Sequence, residues 1–372
     1  MTTSVIPAEA STTTSGSQKP GARKPAKSAG AGGNRIGRYI LVRLLLIIPT
    51  VFILVTMVFI LMRTIGDPIT AALGGRLSAA QLHERIHAAG YDRPILVQYI
   101  EYLGQIATGN FGTTISDRRP VSTVLLTYGG ATLELAFYAL IVAFIVGIPL
   151  GMIAAYFRDK WPDAILRVFA ILFYATPVFF AGLLLKLVFA VWLGVLPVAG
   201  RASTSTELDI QFLPHQTGIY LIDSIQTGNS ADVADVLAHA ILPGIALGLL
   251  TAGIFLRLVR TNVIGTLSAD YVDAARSRGV SEFRLVRKHA YKPALIPIIT
   301  VIGLQIALLL GGAVLTETTF EWKGLGFMLA QYLAARDFVA VQGIVALLAV
   351  VVAVTNFIVD IIAALIDPRV RY

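Results

Sequence analysis

The sequence predicts an all-α polytopic membrane protein with six transmembrane helices, and three observations carry that reading. Hydrophobic residues fill 56% of the 372 positions and charged residues only 14%, whereas a soluble domain carries roughly a quarter charged residues. Six apolar stretches reach the length that a helix needs to cross a bilayer core, about 20 residues. The remaining charge is also sorted by segment. From Arg257 to Lys292 the basic residues Arg257, Arg260, Arg276, Arg278, Arg284, Arg287, Lys288 and Lys292 outnumber Asp270, Asp273 and Glu282. From Val198 to Val236 a single Arg201 faces Glu207, Asp209, Asp223, Asp232 and Asp235. The positive-inside rule puts the first segment in the cytoplasm and the second outside.

In chain order, residues 1–36 are rich in Thr, Ser, Ala, Gly, Pro and Lys and offer almost nothing to bury, so they read as a disordered, basic cytoplasmic tail. The first apolar run, about 40–62, has no cleavage signature after it and reads as a retained anchor. The other expected spans are 131–156, 164–196, 237–258, 294–316 and 341–366. The third is long for one straight crossing. Parity of the charged loops makes it cross once, with Pro177 breaking or tilting it. Both termini then lie in the cytoplasm, and residues 64–130 and 198–236 form the two sizeable outer loops. The absence of cysteine excludes a disulfide framework, a thiolate metal site and a cysteine nucleophile. The net charge of +8 follows the membrane-flanking segments and calls for no nucleic-acid partner.

The stretch "SADYVDAARSRGVSEFRLVRKHAYKPALIP", residues 268–297, reads as two short helices meeting at a glycine. Ser268 is the expected N-cap, and Asp270 sits in the first turn, where its charge suits the helix dipole. Ala274 and Ala275 offer a flat patch for close approach by another protein, with Arg276 and Arg278 beside it. Gly279 supplies a left-handed turn, and Ser281 caps a second helix running to Pro293. A DNA-binding helix-turn-helix has the same outline, but short connections on both sides pin this pair to the bilayer.

"DYVDAARSRG" resembles the cytoplasmic E-A-A-x-x-x-G loop of ABC-importer permeases, with Asp273 in the glutamate position and Ala274, Ala275 and Gly279 matching. More narrowly, the chain is similar to the DppB/OppB branch, the permeases of dipeptide and oligopeptide importers. The matching pieces include "YILVRLLLIIPTVFILVTMVF", "DRPILVQYIEYLG", "GNFGTTISDRRPV", "ATLELAFYALIVAFIVGIPLGMIAA", "ETTFEWKGLG", "ARDFVAVQG" and the terminal "DPRVRY". Lys323 stands where the family usually has proline before Gly324, and Tyr291, Lys292 and Pro293 depart from the family's pattern at the hinge after the loop.

The resemblance implies a type I ABC importer permease fold over residues 37–372, with a coupling loop at about 260–293. It implies a bacterial cytoplasmic-membrane location and a chain that is not itself an enzyme. The implied partners are a second homologous permease (DppC/OppC-like), two ATPase domains (DppD/DppF-like, separate or fused), an extracytoplasmic peptide-binding protein and the peptide itself. ATP and Mg belong to the ATPases, consistent with the lack of a G-x-x-x-x-G-K-[ST] loop here. Asp270, Asp273, Ala274, Ala275, Arg276 and Gly279 would engage the ATPase, while Glu134, Glu317, Phe320 and Gly324 would act as gate or interface residues. Nickel-chelate and glutathione importers use close relatives of the same permease.

Two other classes were weighed. "HERIH", residues 83–87, fits H-E-x-x-H, and "AAG" extends it. However, the third ligand position holds Arg93, and the stretch is polar rather than intramembrane, so the match reads as chance. An ion-driven secondary transporter would show internal repeats and interrupted midplane helices, and no convincing repeat is present. Asn356, Asp360 and Lys186 within spans invite a pathway role. The simpler reading is preferred: Asp360 caps or pairs near the inner end, and Lys186 snorkels.

Overall fold

A computed structural model describes the backbone of residues 32–366 and all but a few of their side chains. Of the expected tail, residues 1–31 lie outside the described part, as does the terminal 367–372; Gly32 to Ile36 already belong to the first helix. Among the described residues the regular structure is helical, with one isolated antiparallel bridge, Thr113 to Pro120.

Nine helices among the described residues carry the architecture: α1 Gly32–Ile65, α2 Val121–Tyr156, α3 Trp161–Ala175, α4 Val178–Trp192, α5 Ser230–Leu267, α6 Asp270–Ser277, α7 Tyr291–Phe320, α8 Leu325–Ala334 and α9 Phe338–Ile366. By length and composition, four of the described helices can cross a membrane, or five if α3 and α4 form one broken span. In addition α7 contains the apolar stretch Leu304–Phe320. The bend between α3 and α4 is 105° and falls at Thr176 and Pro177. Thr176 takes the extended conformation that a following proline imposes (ψ 124°).

Helix α5 is the hub, touching α2, α3, α4 and α7. It runs to Leu267, well past the expected end near 258, because no proline interrupts its C-terminal half. Its neighbours cross it where side chains are missing. A Cβ on Gly147 or Gly151 of α2 would lie 2.7 Å from the carbonyl oxygen of Ala252 or Leu256. A Cβ on Gly248 would meet the Ala139 carbonyl at 2.6 Å, and one on Gly253 the Ala170 carbonyl at 2.8 Å. Lipid tails are as apolar as leucine, so close backbone packing rather than hydrophobicity draws such helices together. A π-helical turn at Ala143–Gly147 in α2 lies beside one of these crossings. Below it, Phe144 and Phe255 stack at 5.3 Å.

Two ion pairs tie spans together near their ends. Arg260 of α5 grips the fully buried Asp163 of α3 through Nε and Nη2, at 2.5 and 2.7 Å. Arg43 of α1 pairs with Asp360 of α9 at 3.1 Å, which is the pairing expected for Asp360, while Asn356 is exposed.

Gly248→Ala places a methyl group against a backbone carbonyl and should lower stability by about 1–3 kcal/mol. Gly265→Ala in the same helix, with open space around it, should be neutral or stabilising by up to about 1 kcal/mol. Thermal unfolding of the two purified variants in one detergent checks the contrast.

Candidate functional site

Two clusters hold the residues singled out from the sequence. The first is the helix pair after α5. Only Ser268 and Ala269 separate α5 from α6. Ser268 is not the N-cap: Ala269 occupies that position with no side-chain cap, and the Ser268 hydroxyl turns back toward the Ile264 carbonyl at 3.5 Å. The reason is local, since α5 continues to Leu267 and takes Ser268 into its own last turn. Asp270 and Asp273 lie in the first turn of α6, as expected.

Gly279 has φ +78°. Its N–H bonds to the Arg276 carbonyl at 2.9 Å, and the Val280 N–H reaches back to Ala275 at 3.3 Å. This is the double closure of a Schellman motif, with Val280 and Ala275 packed in the same apolar cluster.

Ala274 and Ala275 do not form one patch. Adjacent residues on a helix point about 100° apart. Ala275 is therefore buried with Val272, Leu285, Val286 and Ala290, while Ala274 is exposed. The same cluster contains Phe255, Val259, Val263 and Leu267 of α5 and Ala294 and Ile298 of α7, so the pair is welded to both spans.

Ser281 sits at the N-cap position of a single turn, Glu282–Arg284. The chain then passes through a π-helical stretch, Leu285–Ala290, directly into α7, so Tyr291, Lys292 and Pro293 form continuous helix rather than a hinge. Arg276 bridges the two helices, bonding Asp273 on its own turn and Glu282 across the glycine at 2.7 Å. The Glu282 hydrogen bond holds its guanidinium above the usual range, so this link stays charged at physiological pH. The outward face carries Ala274 and Arg278 beside Tyr271 (48% exposed) and Phe283 (59% exposed). The two aromatics escaped the sequence reading; their signal is an aromatic residue at a polar helix position, a type enriched where proteins meet.

The second cluster lies at the other end of α5, around Glu134 of α2 and Glu317 of α7. Both carboxylates are buried. Glu134 accepts from Arg201 Nη2 at 2.5 Å, from the Tyr138 hydroxyl at 3.2 Å and from the amides of Tyr220 and Leu221 at 3.2 and 2.8 Å. These amides open the helix Tyr220–Gln226. Glu317 accepts from Thr132 Oγ1 at 2.7 Å and from the Phe327 amide at 2.8 Å, in the first turn of α8. Each glutamate therefore does the work of an N-cap for a helix other than its own.

Trp322 is fully buried between the clusters' elements and donates its Nε1 to the Ala131 carbonyl at 2.9 Å. Arg201 lies over the Tyr220 ring at 3.6 Å. Gly324 is extended, and its role is close approach: a Cβ there would come 2.5 Å from Glu317 Oε1. Phe320 is buried against Leu242 and Ala246, and Lys186 covers it at 5.5 Å while donating to the Thr319 carbonyl at 2.8 Å. Lys186 thus serves the carboxyl end of α7. The exposed Lys323 leaves its turn closed, with the Gly324 amide on the Trp322 carbonyl at 2.7 Å.

The family models and the relatives of this sequence bear on the arrangement. Residues 147–372, which include α5, the helix pair and α7 to α9, match the model of the binding-protein-dependent transport system inner membrane component, and residues 36–123 match that of the N-terminal part of such components. The chain belongs to this transport family. The di/tripeptide transport system permease protein DppB of Pseudomonas aeruginosa is 39% identical over 89% of this chain and 97% of its own length. Dipeptide permease DppB of Escherichia coli is 36% identical over 90% and 99%. The glutathione transport system permease GsiC of Salmonella choleraesuis is 33% identical over 90% and 99%. A solved inward-facing MetNI methionine ABC transporter chain overlaps 66% of this chain and 98% of its own, with a TM-score of 0.48 and 17% identity.

For this inner membrane component, the "HERIH" residues form part of an exposed amphipathic helix, Ala79–Ala88, closed by a capping box between Ser78 and Gln81. His87 pairs with Asp92 at 2.5 Å, and Arg93 with Glu101 at 2.5 Å. Among the described residues no three His, Asp or Glu side chains converge as a metal site would require.

Arg201→Met leaves Glu134 buried without its cation, which should cost about 3 kcal/mol. The double variant Arg201→Met/Glu134→Gln should recover part of that loss. Unfolding midpoints of wild type, both single variants and the double variant complete the cycle.

Proposed function

We propose that this chain is the permease subunit of an ATP-driven ABC importer of dipeptides and oligopeptides. The observation that carries the reading is the 39% identity to a di/tripeptide permease across 97% of that protein's length. The permease domain occupies residues 37–372, in the bacterial cytoplasmic membrane. It crosses six times, with α3 and α4 as one broken span and α7 as another, and both termini are cytoplasmic. In support, the acidic segment Val198–Val236 and the basic segment Arg257–Lys292 lie at opposite ends of α5, as the positive-inside rule requires of one crossing. Two homologous permeases form the pathway. An extracytoplasmic binding protein delivers the peptide, and two ATPase domains carry ATP and Mg. The chain contributes no catalysis of its own.

In this reading α6 is the coupling helix. Asp270, Asp273, Ala274, Arg276 and Gly279, with Tyr271 and Phe283 beside them, face an ATPase cleft, while Ala275 holds the helix to its own protein. Closure of the ATPases on ATP displaces the pair, and the shared core passes that displacement to α5 and α7 together. The pathway then opens outward, and hydrolysis returns it. A second reading has one specific support: the glutathione permease matches over nearly its whole length, and glutathione is itself a short peptide.

Affinity capture of the tagged chain in mild detergent should recover a second permease and P-loop ATPases. Asp273→Arg/Gly279→Val should lose the ATPases but keep the permease partner. Recovery of the chain alone, or retention of the ATPases by the variant, would overturn the assignment. Dipeptide against glutathione uptake by cells carrying the intact complex decides between the two substrates. Gly279→Val alone, which forces a branched residue to φ +78°, should cost about 1–2 kcal/mol and uncouple ATP hydrolysis from uptake.

A further inference from the structure

A groove of about 420 Å³ opens between α3 and α5, away from both clusters described above. The two helices run antiparallel across it. Asp163 meets Arg260 at one end, and Gly253 meets the Ala170 carbonyl at the other. Between these contacts the lining is basic, with Arg167, Arg257 and Arg260; beyond them it is apolar, with Ile171, Tyr174 and Ile254. A helix rises 1.5 Å per residue, so Arg167 and Arg257 lie roughly 5–6 Å past the Asp163–Arg260 pair, toward the apolar end.

Three guanidiniums here share one carboxylate. Arg260 takes both oxygens of Asp163 at 2.5 and 2.7 Å, and Arg167 stands 3.8 Å from the same group. Asp163 also accepts the Asp159 amide at 3.1 Å, so little of its capacity is left. Arg257 is exposed and has no ion pair among the described residues. The neighbouring acid, Asp159, lies between Arg158 and Lys160, so the approach to the groove is basic as well.

The surroundings say where this basic mouth stands. Trp161 opens α3 and is 75% exposed, and tryptophan on a membrane helix is enriched at the boundary between hydrocarbon and water. Past the arginines, Ile171 and Tyr174 present exposed apolar surface. A guanidinium on the hydrocarbon side of that boundary is costly unless an anion meets it. A free anion would pair with the arginines but leave the apolar half of the groove uncovered. An amphipathic anion satisfies both halves.

We propose that this groove binds one anionic phospholipid, with its phosphate on Arg167 and Arg257 and an acyl chain along Ile171, Tyr174 and Ile254. Arg260 stays with Asp163 and closes the basic end. Charge-assisted bonds from arginine to phosphate are among the stronger ones, and a basic pocket between membrane helices is suited to an anionic headgroup. The excess of arginine over carboxylate disfavours a zwitterionic lipid, whose ammonium it would repel. The site rests on α3 and α5 lying in a bilayer and is independent of what the chain transports.

The test is photo-crosslinking of the full chain in nanodiscs, alone and as captured with its partners, using phosphatidylglycerol or phosphatidylcholine with a diazirine on the acyl chain. Mass spectrometry locates the adducts. Phosphatidylglycerol should label the stretches around Ile171–Tyr174 and Ile254 at least fivefold more than phosphatidylcholine does, with and without partners. Arg257→Gln and Arg167→Gln should each lower that labelling about threefold, and the double variant should bring it to the phosphatidylcholine level. Labelling by phosphatidylcholine should stay the same in every variant, which separates loss of the site from loss of the fold. Equal labelling by the two lipids would mean ordinary surrounding lipid and overturn the proposal. Labelling by phosphatidylglycerol unchanged in both variants, or abolished by inorganic phosphate, would overturn it too. So would labelling of the lone chain that disappears in the captured complex, since a protein partner would then be the occupant.

Discussion

The fold depends on one helix that gives up its side chains where its neighbours need room. At Gly248 and Gly253 on α5, and at Gly147 and Gly151 facing it, backbones approach to distances that a single methyl group would prevent. Inside a bilayer this is how helices hold one another, by dispersion over close backbone contact rather than by removing apolar surface from water. Because α2, α3, α4 and α7 all lean on α5, these glycines act on the one helix that the other spans share.

Charge does the complementary work at the ends of the spans. Asp163, Glu134, Glu317 and Asp337 are all buried, and each is satisfied by an arginine, by backbone amides or by both. A buried carboxylate without such partners would be expensive. With them, it fixes the direction in which a short helix leaves the membrane helix. The short helices Tyr220–Gln226 and α8 are aimed by glutamates on α2 and α7. The helix pair after α5 is held instead by an apolar cluster continuous with α5 and α7. The two ends of the molecule therefore differ in kind, with a polar scaffold at one and a greasy joint at the other.

Much of this was legible in the sequence. Apolar run length marks membrane helices because the bilayer sets a length. Gly279 announced its left-handed turn because few other residues tolerate one, and Pro177 announced the break between α3 and α4. Other features were illegible for physical reasons. Hydropathy does not distinguish a glycine at a helix crossing from one facing open space, as Gly248 and Gly265 illustrate. The partnership of Glu134 with Leu221 spans 87 positions, and no local pattern encodes it. The inward turn of Ala275 is implicit in helical periodicity, but the match to a known motif drew attention to its identity rather than its direction. Ser268 looked like the start of a helix only while the preceding helix was assumed to end ten residues earlier.

The hub helix pays for its glycines in another currency. Its best apolar window has a mean hydropathy of 1.9, against 3.0 for α1, 2.4 for α2 and 2.6 for α9. It also carries Pro243 within its length and Arg257 and Arg260 toward its C-terminal end. The same window is 61% buried inside the protein, whereas that of α1 is 17% buried. Of these four windows, the one that the finished structure buries most is thus the one that lipid alone would welcome least. Part of what keeps α5 across the bilayer is therefore the backbones of its neighbours rather than the lipid, which ties its insertion to theirs.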